Sequence, residues 1–295
     1  MYQEKKLSDK LKVFGTFAFI PLTVFFVVII LPFIAGILMT VTTWTGTSGS
    51  LLDFVGFTNF KKVFSDPSFG DTLVATFKYV IWTLILTNVI GFGLALLVTQ
   101  GFKGQNFFKL SFFTPNLIGG IILGFIWQFI FSRALVQIGT EFGWGIFSSS
   151  WLAEPRTALW TLVIVSVWQN AGYMMLIYIA GLAGVDKSVL EASLLDGANA
   201  LQQLIKVKIP LMMPAFTISL FLTLQRSFLV YDVNLSLTDG GPYRSTELIA
   251  MHVYQEAFTY QRFGEGQTKA FILFIIVAVI AISQVRLMKK MEVEG

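Results

Sequence analysis

Chemistry in this sequence is confined to a few polar residues set inside long apolar runs. One run carries Trp168-Gln169-Asn170-Ala-Gly172-Tyr173, with Tyr178 further along. Another carries Thr223, Gln225, Arg226 and Ser227 and reaches Tyr231-Asp232, and a third carries Lys78 and Asn88. Amides and hydroxyls supply donors and acceptors together, and aromatic rings supply flat apolar faces. That combination suits a sugar, whose C–H faces pack on rings while its hydroxyls exchange hydrogen bonds in both directions. In hydrocarbon such groups are costly, and they face a cavity or another helix. Gln169, Asn170, Tyr173, Thr223, Arg226 and Ser227 are therefore the candidate substrate-pathway residues; the alternative is that they only bond neighbouring helices. A guanidinium deep in an apolar run needs a wet cavity or a counter-charge. Asp232 is one possible partner, though six residues is not the ideal helical separation. Lys78, near the end of its run, can snorkel to the interface.

Other chemistries are absent from the sequence. No G-x-x-x-x-G-K-[ST] occurs, so the chain supplies no P-loop for ATP. There are no cysteines and a single histidine, His252, which excludes thiol nucleophiles, disulfides, Cys-ligated metals and an H-E-x-x-H zinc site. His252 reads as an outer-loop or interfacial residue. No G-x-S-x-G elbow or usable Ser–His pairing is evident, so neither an enzyme nor a resident metal or cofactor is expected.

The elements that must position the polar residues are membrane helices. Of 295 residues, 55% are apolar and only 13% charged, a composition that demands several apolar runs of about twenty residues each. Six spans are expected, at about 13–41, 72–99, 107–131, 157–183, 211–233 and 268–287, within a single domain over 1–295. The first is read as a retained span, because no A-x-A cleavage site is obvious. Residues 59–64 have the composition of a short interfacial helix, and Gly120-Ile-Ile-Leu-Gly124 allows close helix approach. Lys5, Lys6, Lys10 and Lys12 precede the first run, and Arg286, Lys289 and Lys290 follow the last. Lys and Arg are more frequent on that side of the chain than on the other, which puts both termini and the segment 185–210 in the cytoplasm. A net charge of +4 is too small and too spread out to argue for nucleic acid.

That cytoplasmic segment reads as two short amphipathic helices. Ser188-Val-Leu-Glu191 has the form of a capping box, Gly197 can end or bend the first helix, and Leu201, Leu204 and Ile205 recur as the apolar stripe of a second. Such an element suits docking to a soluble partner. Glu191-Ala192-Ser193, Asp196-Gly197-Ala198 and Val207-x-Ile209-Pro210 resemble the "EAA" loop of permease subunits of ATP-binding-cassette importers. Ser193, Val207 and Ile209 are mild departures. Leu237-Thr-Asp-Gly-Gly-Pro-Tyr-Arg-Ser-Thr-Glu247, with Tyr254 and Ala257-Phe258, looks like a loop of the carbohydrate importers of that class. Gly264-Glu-Gly-Gln-Thr-Lys269 departs from the small, uncharged run found there.

The resemblance implies an all-α, six-helix permease subunit of a maltose-type (type I) sugar importer, multi-pass in the cell membrane. It implies a second permease, an ATPase dimer carrying ATP and Mg, and an extracytoplasmic solute-binding protein as partners. Glu191, Ala192, Ser193, Asp196, Gly197, Ala198 and Pro210 would couple to the ATPase, whose closure rocks the permeases between inward and outward states. Sugar contacts in such relatives would fall at Asn170, Tyr173, Thr223 and Ser227 here. Arg226 leaves open an anionic solute such as an acidic saccharide or sugar phosphate. A membrane channel or an enzyme of lipid metabolism is the alternative from another class.

Overall fold

The structure is a computed structural model that describes residues 7–44 and 53–292, with side chains from residue 12 onward. Lys5, Lys6 and Lys10, part of the basic stretch invoked for orientation, lie outside the described side chains. The described elements are helices, plus one isolated bridge between Thr42 and Phe54. In chain order they are α1 (Leu7–Phe17), α2 (Phe19–Met39), α3 (Thr58–Ser65), α4 (Pro67–Val98), α5 (Gln105–Phe113), α6 (Gly120–Phe142), α7 (Pro155–Ala183), α8 (Lys187–Leu195), α9 (Ala200–Leu211), α10 (Met213–Phe228), α11 (Asp232–Leu237), α12 (Ile249–Tyr254) and α13 (Phe263–Lys289). Five of them are long and apolar enough to cross a membrane, and a sixth span results if the bent pair α9–α10 counts as one.

Two expected spans are redrawn. The run at 107–131 is not one helix. Pro115 has no N–H to continue α5, the chain passes through a 3₁₀ turn and two extended residues, Ile118 and Gly119, and α6 begins only at Gly120. The run at 211–233 is bent by 70° at Met212, between Pro210 and Pro214, and its helix stops at Phe228. Asp232 therefore starts a separate helix instead of lying on the helix of Arg226. The first run contains a π-turn, Phe26–Ile30, directly ahead of Pro32, the local adjustment that a helix-interior proline commonly requires.

The single domain expected over 1–295 divides into two compact units, residues 1–66 with 253–272, and residues 67–252 with 273–295. In the first unit, Asn59 of α3 donates to the carbonyls of Thr40 and Thr42 at the end of α2, at 2.9 and 2.8 Å. Gly264 lets α13 begin against the Thr42 carbonyl, where any Cβ would collide. Lys269, the charged departure in this stretch, is 1% exposed. Its ammonium contacts Glu256 at 2.6 Å and Asp66 at 3.0 Å, and Arg262 meets the other oxygen of Glu256 at 3.2 Å. Lys269 is thus a buried cation neutralised by ion pairs within this unit.

The second unit is built on α4, α7 and α10. Its core joins Ala95, Val98, Met174, Met175, Tyr178, Val185, Met212 and Ala215. Glycines set the close approaches: a Cβ on Gly172 would enter the Phe112 carbonyl of α5, and one on Gly181 would meet Ala215 of α10 at 2.6 Å. Gly120 and Gly124 seat α11 through Asp232 and Ser236, so the small-residue pair serves a contact within this chain.

Candidate functional site: a polar cavity and a helical loop

Polar side chains of α4, α7 and α10 converge on a cavity of about 470 Å³ in the second unit. α7 contributes Ser166, Gln169 and Asn170; α10 contributes Thr223, Gln225, Arg226 and Ser227; α4 contributes Tyr79 and Thr83; and Asn116 enters from the 3₁₀ turn. Of the six expected pathway residues, Gln169, Asn170, Thr223, Arg226 and Ser227 line it. Tyr173 does not; its ring lies beneath Arg226, whose guanidinium carbon is 4.5 Å from the ring centroid. Arg226 also donates from Nη1 to Oδ1 of Asn170 at 2.8 Å, and Asn170 in turn donates to the Ser166 carbonyl at 2.8 Å. Among the described residues no ion pair joins Arg226 to Asp232, which sits on α11 beside Gly120. The cation is thus held by an amide and a ring, and its charge stays available to the cavity. Tyr79, Thr83, Asn116 and Ser166 were not singled out in the sequence. Tyr79 donates to Ser166 Oγ at 2.7 Å, and Thr83 Oγ1 is enclosed with no hydrogen-bond partner among the described residues.

Behind Thr223 lies a buried network centred on Asn88. Its Oδ1 accepts from Tyr178 Oη at 2.7 Å and Ser219 Oγ at 2.6 Å, and its Nδ2 donates to the Leu84 carbonyl at 2.8 Å and Thr223 Oγ1 at 3.3 Å. One amide thereby ties α4, α7 and α10 together. This matters because buried polar groups in an apolar setting are stable only when paired.

The segment 185–210 folds as two helices around a glycine. Asp186, and not Ser188, is the N-cap of α8: its carboxylate accepts from the Ser188 N–H at 2.9 Å. That backbone bond and the Ser188 hydroxyl hold the Asp186 carboxyl below its ordinary pKa. α8 ends in a Schellman motif, with Ala198 N–H bonding the Ser193 carbonyl and Gly197 N–H the Leu194 carbonyl, both at 3.0 Å. Gly197 has φ +79°, so a left-handed residue is required there. A reciprocal capping box opens α9, formed by Asn199 and Gln202 at 2.9 Å each way; the N-x-x-Q spacing is its signal in the sequence. Gln203 clamps the two helices by donating to the Leu190 carbonyl and to Ser193 Oγ, which gives the Ser193 departure a structural use. Glu191, Ala192 and Asp196 are exposed, as are Val189, Leu194, Leu201, Ile205 and, at 90%, Leu195. The pair therefore presents an uncovered apolar ridge flanked by charge.

On α12, His252 is buried instead of interfacial. Its Nδ1 lies 2.7 Å from Glu247 Oε1, and Arg244 grips the same carboxylate through Nε and Nη2. Burial alone would raise the Glu247 pKa, but the hydrogen bonds and charges of His252 and Arg244 outweigh it and bring it down to about 2.

The family described as "Binding-protein-dependent transport system inner membrane component" matches residues 87–292. A probable starch degradation products transport system permease of Thermoanaerobacterium thermosulfurigenes is 44% identical over 91% of both chains. A multiple sugar-binding transport system permease of Streptococcus mutans is 29% identical over 94% of this chain and 96% of its own. Among solved structures, a chain of a bacterial importer of the acidic polysaccharide alginate superposes with a TM-score of 0.82, covering 97% of this chain and 99% of that one at 16% identity. At that identity the likeness is one of fold.

Proposed function

Because the chain belongs to the family of binding-protein-dependent transport system inner membrane components, and is a multi-pass membrane protein of sugar-permease type, we propose that it is one of two permeases of an ATP-driven importer for starch-derived oligosaccharides. The observation that carries this reading is the cavity lining: amides, hydroxyls and a phenol from three helices, with one cation and no carboxylate. A neutral oligosaccharide presents donors and acceptors in matching number. The 44% identity to a permease named for starch degradation products supports the same class.

The remaining parts of the machine follow from this reading. ATP and Mg reside on a separate ATPase dimer, since this chain has no nucleotide loop. The α8–α9 ridge and Glu191 face that ATPase in the cytoplasm, where both termini also lie. A second permease completes the pathway, and an extracytoplasmic solute-binding protein delivers the sugar. ATP drives transport by binding one arrangement of the assembly better than the other. Channel and lipid-enzyme readings have no comparable support.

A second reading, an anionic solute, rests on Arg226, whose guanidinium borders the cavity without a carboxylate partner. Relatives named for sn-glycerol-3-phosphate and sulfoquinovosyl glycerol transport are each 28% identical. Uptake by the reconstituted complex separates the two. Labelled maltotetraose should enter proteoliposomes only with ATP and the solute-binding protein, and excess sn-glycerol-3-phosphate should not compete. Competition by the phosphate, without maltotetraose uptake, would replace the first reading by the second.

A further inference from the structure

A second cleft in the same unit, of about 610 Å³, has a different chemistry. It opens between the starts of α4 and α7 and the turn at 243–245. Three cations border it: Lys78 of α4, Arg156 of α7, and Arg244; Asp71 is the one acid in its lining. Among the described residues, Lys78 and Arg156 have no hydrogen bond or ion-pair partner. Arg244 is gripped by Glu247, yet its side chain remains 54% exposed. Ser245 Oγ, on the same wall, is enclosed and has no partner among the described residues. The helix starts that frame the cleft add partial positive charge.

The rim is as distinctive as the floor. Tyr243 and Arg244 are consecutive non-glycine residues in the left-handed region, at φ +52° and +61°. The turn holds them there through Thr246 N–H to the Gly240 carbonyl at 3.2 Å, Ser245 N–H to the Pro242 carbonyl at 3.0 Å, and the Arg244–Glu247–His252 cluster. Its effect is to raise Tyr243, 92% exposed, over a basic hollow. Backbone strain that surrounding bonds maintain is found at functional positions. A tyrosine fixed beside an arginine is the pairing that anchors protein–protein contacts. A lipid phosphate, held by charge alone, would use the cations without needing a rigidly displayed ring.

We propose that this cleft is a docking site for an acidic patch of the solute-binding protein, with Lys78 and Arg156 receiving carboxylates and Tyr243 packing alongside. The proposal rests on the importer reading above, which puts this turn on the outer face and supplies the partner. The test uses the assembled transporter in nanodiscs and the purified, sugar-loaded solute-binding protein. The double variant Lys78→Glu, Arg156→Glu should weaken binding at least about tenfold and flatten its salt dependence, leaving assembly and the ATPase rate without binding protein unchanged. Lys78→Arg, Arg156→Lys should bind as the parent does. If the double variant does not assemble, Tyr243→Ala provides the readout, with an expected loss of about fivefold or more. Unchanged affinity and salt slope in an assembled variant would overturn the docking proposal, as would normal binding accompanied by loss of retained anionic lipid. Labelling of a Tyr243→Cys variant by an impermeant thiol reagent keeps the two levels apart. Labelling from inside alone would sink the importer orientation; labelling from outside with unchanged affinity would sink only the docking site.

Discussion

Arg226 shows how a cation can be kept in an apolar helix without a counter-charge: one amide oxygen and one ring face take its place. Arg226→Gln should therefore leave the complex assembled. For a neutral oligosaccharide, uptake should change by no more than a few-fold; an anionic solute would lose one to two orders of magnitude, the worth of a charge-assisted hydrogen bond of about 1.5–3 kcal/mol. Asn88 and Thr87 make a matched pair of tests one residue apart. Asn88→Leu strips Tyr178 and Ser219 of their acceptor and should cost about 1–3 kcal/mol, read as a lower unfolding midpoint in detergent. Thr87 is buried with its hydroxyl unpaired among the described residues, so Thr87→Val should be neutral or stabilising in the same assay. Glu247 gives a pH test. Its folded pKa, about 2, lies below the ordinary 4.5, so its contribution is complete above about 4.5 and fades as pH falls toward 2. The midpoint difference between the parent and Glu247→Gln should accordingly be at its full size just above pH 4.5 and shrink below it. A gap independent of pH would contradict the ion cluster. The identities of Arg226 and Asn170 were conspicuous in the sequence. Their contact was not, because it joins residues 56 positions apart through helix packing that small residues such as Gly181 and Ala215 set.

At the scale of the element, Gly197 is the position where sequence and geometry meet most directly. A valine there has room, since nothing lies within 4 Å of a built Cβ, but it would have to adopt φ +79°, a strain of roughly 1–3 kcal/mol. Gly197→Val should leave the protein in the membrane while lowering ATPase co-purification and ATP-dependent uptake. Gly197→Asn, which tolerates the left-handed region, should retain more of both. Normal assembly and uptake in Gly197→Val would remove the docking role from this loop. The bend was legible because only one glycine interrupts two helix-forming stretches. The S-x-x-E pattern misplaced the first cap because Asp186, only two residues before Ser188, reaches the Ser188 N–H and starts the helix earlier. Likewise, apolar continuity hid the break at Pro115 and the stop at Phe228: Leu229 and Val230 extend the hydropathy while the helix has already ended.

For the whole molecule, orientation is the quantity on which the partner assignments depend. The chain has no cysteine, so single introduced thiols report cleanly. Leu195→Cys, on the exposed ridge of α8, should react with an impermeant reagent only from the cytoplasmic side, and Tyr243→Cys only from outside. The reverse pattern would detach the ATPase from the α8–α9 loop and the binding protein from the Tyr243 turn together. Fold class was legible from composition, because no soluble core could absorb so many apolar residues with so few charges. The division into two compact units was not, since it depends on distant partners such as Asn59 with Thr40 and Lys269 with Asp66, whose pairing no local pattern announces.

The 70° bend at Met212 makes α9 and α10 the two arms of a bell crank. Met212 is 1% exposed and packs in the core with Ala215, so the corner between the two arms is anchored in the second unit. One arm carries the helix after Gly197; the other carries Thr223, Arg226 and Ser227. Arg226 stands fourteen residues beyond Met212, about 21 Å along the axis at 1.5 Å per residue. A rotation of about 10° about that corner would sweep its Cα through roughly 4 Å, more than the length of a hydrogen bond. A push on the short arm would thus be returned at the cavity as a broken Arg226–Asn170 contact, with neither helix having to bend along its length.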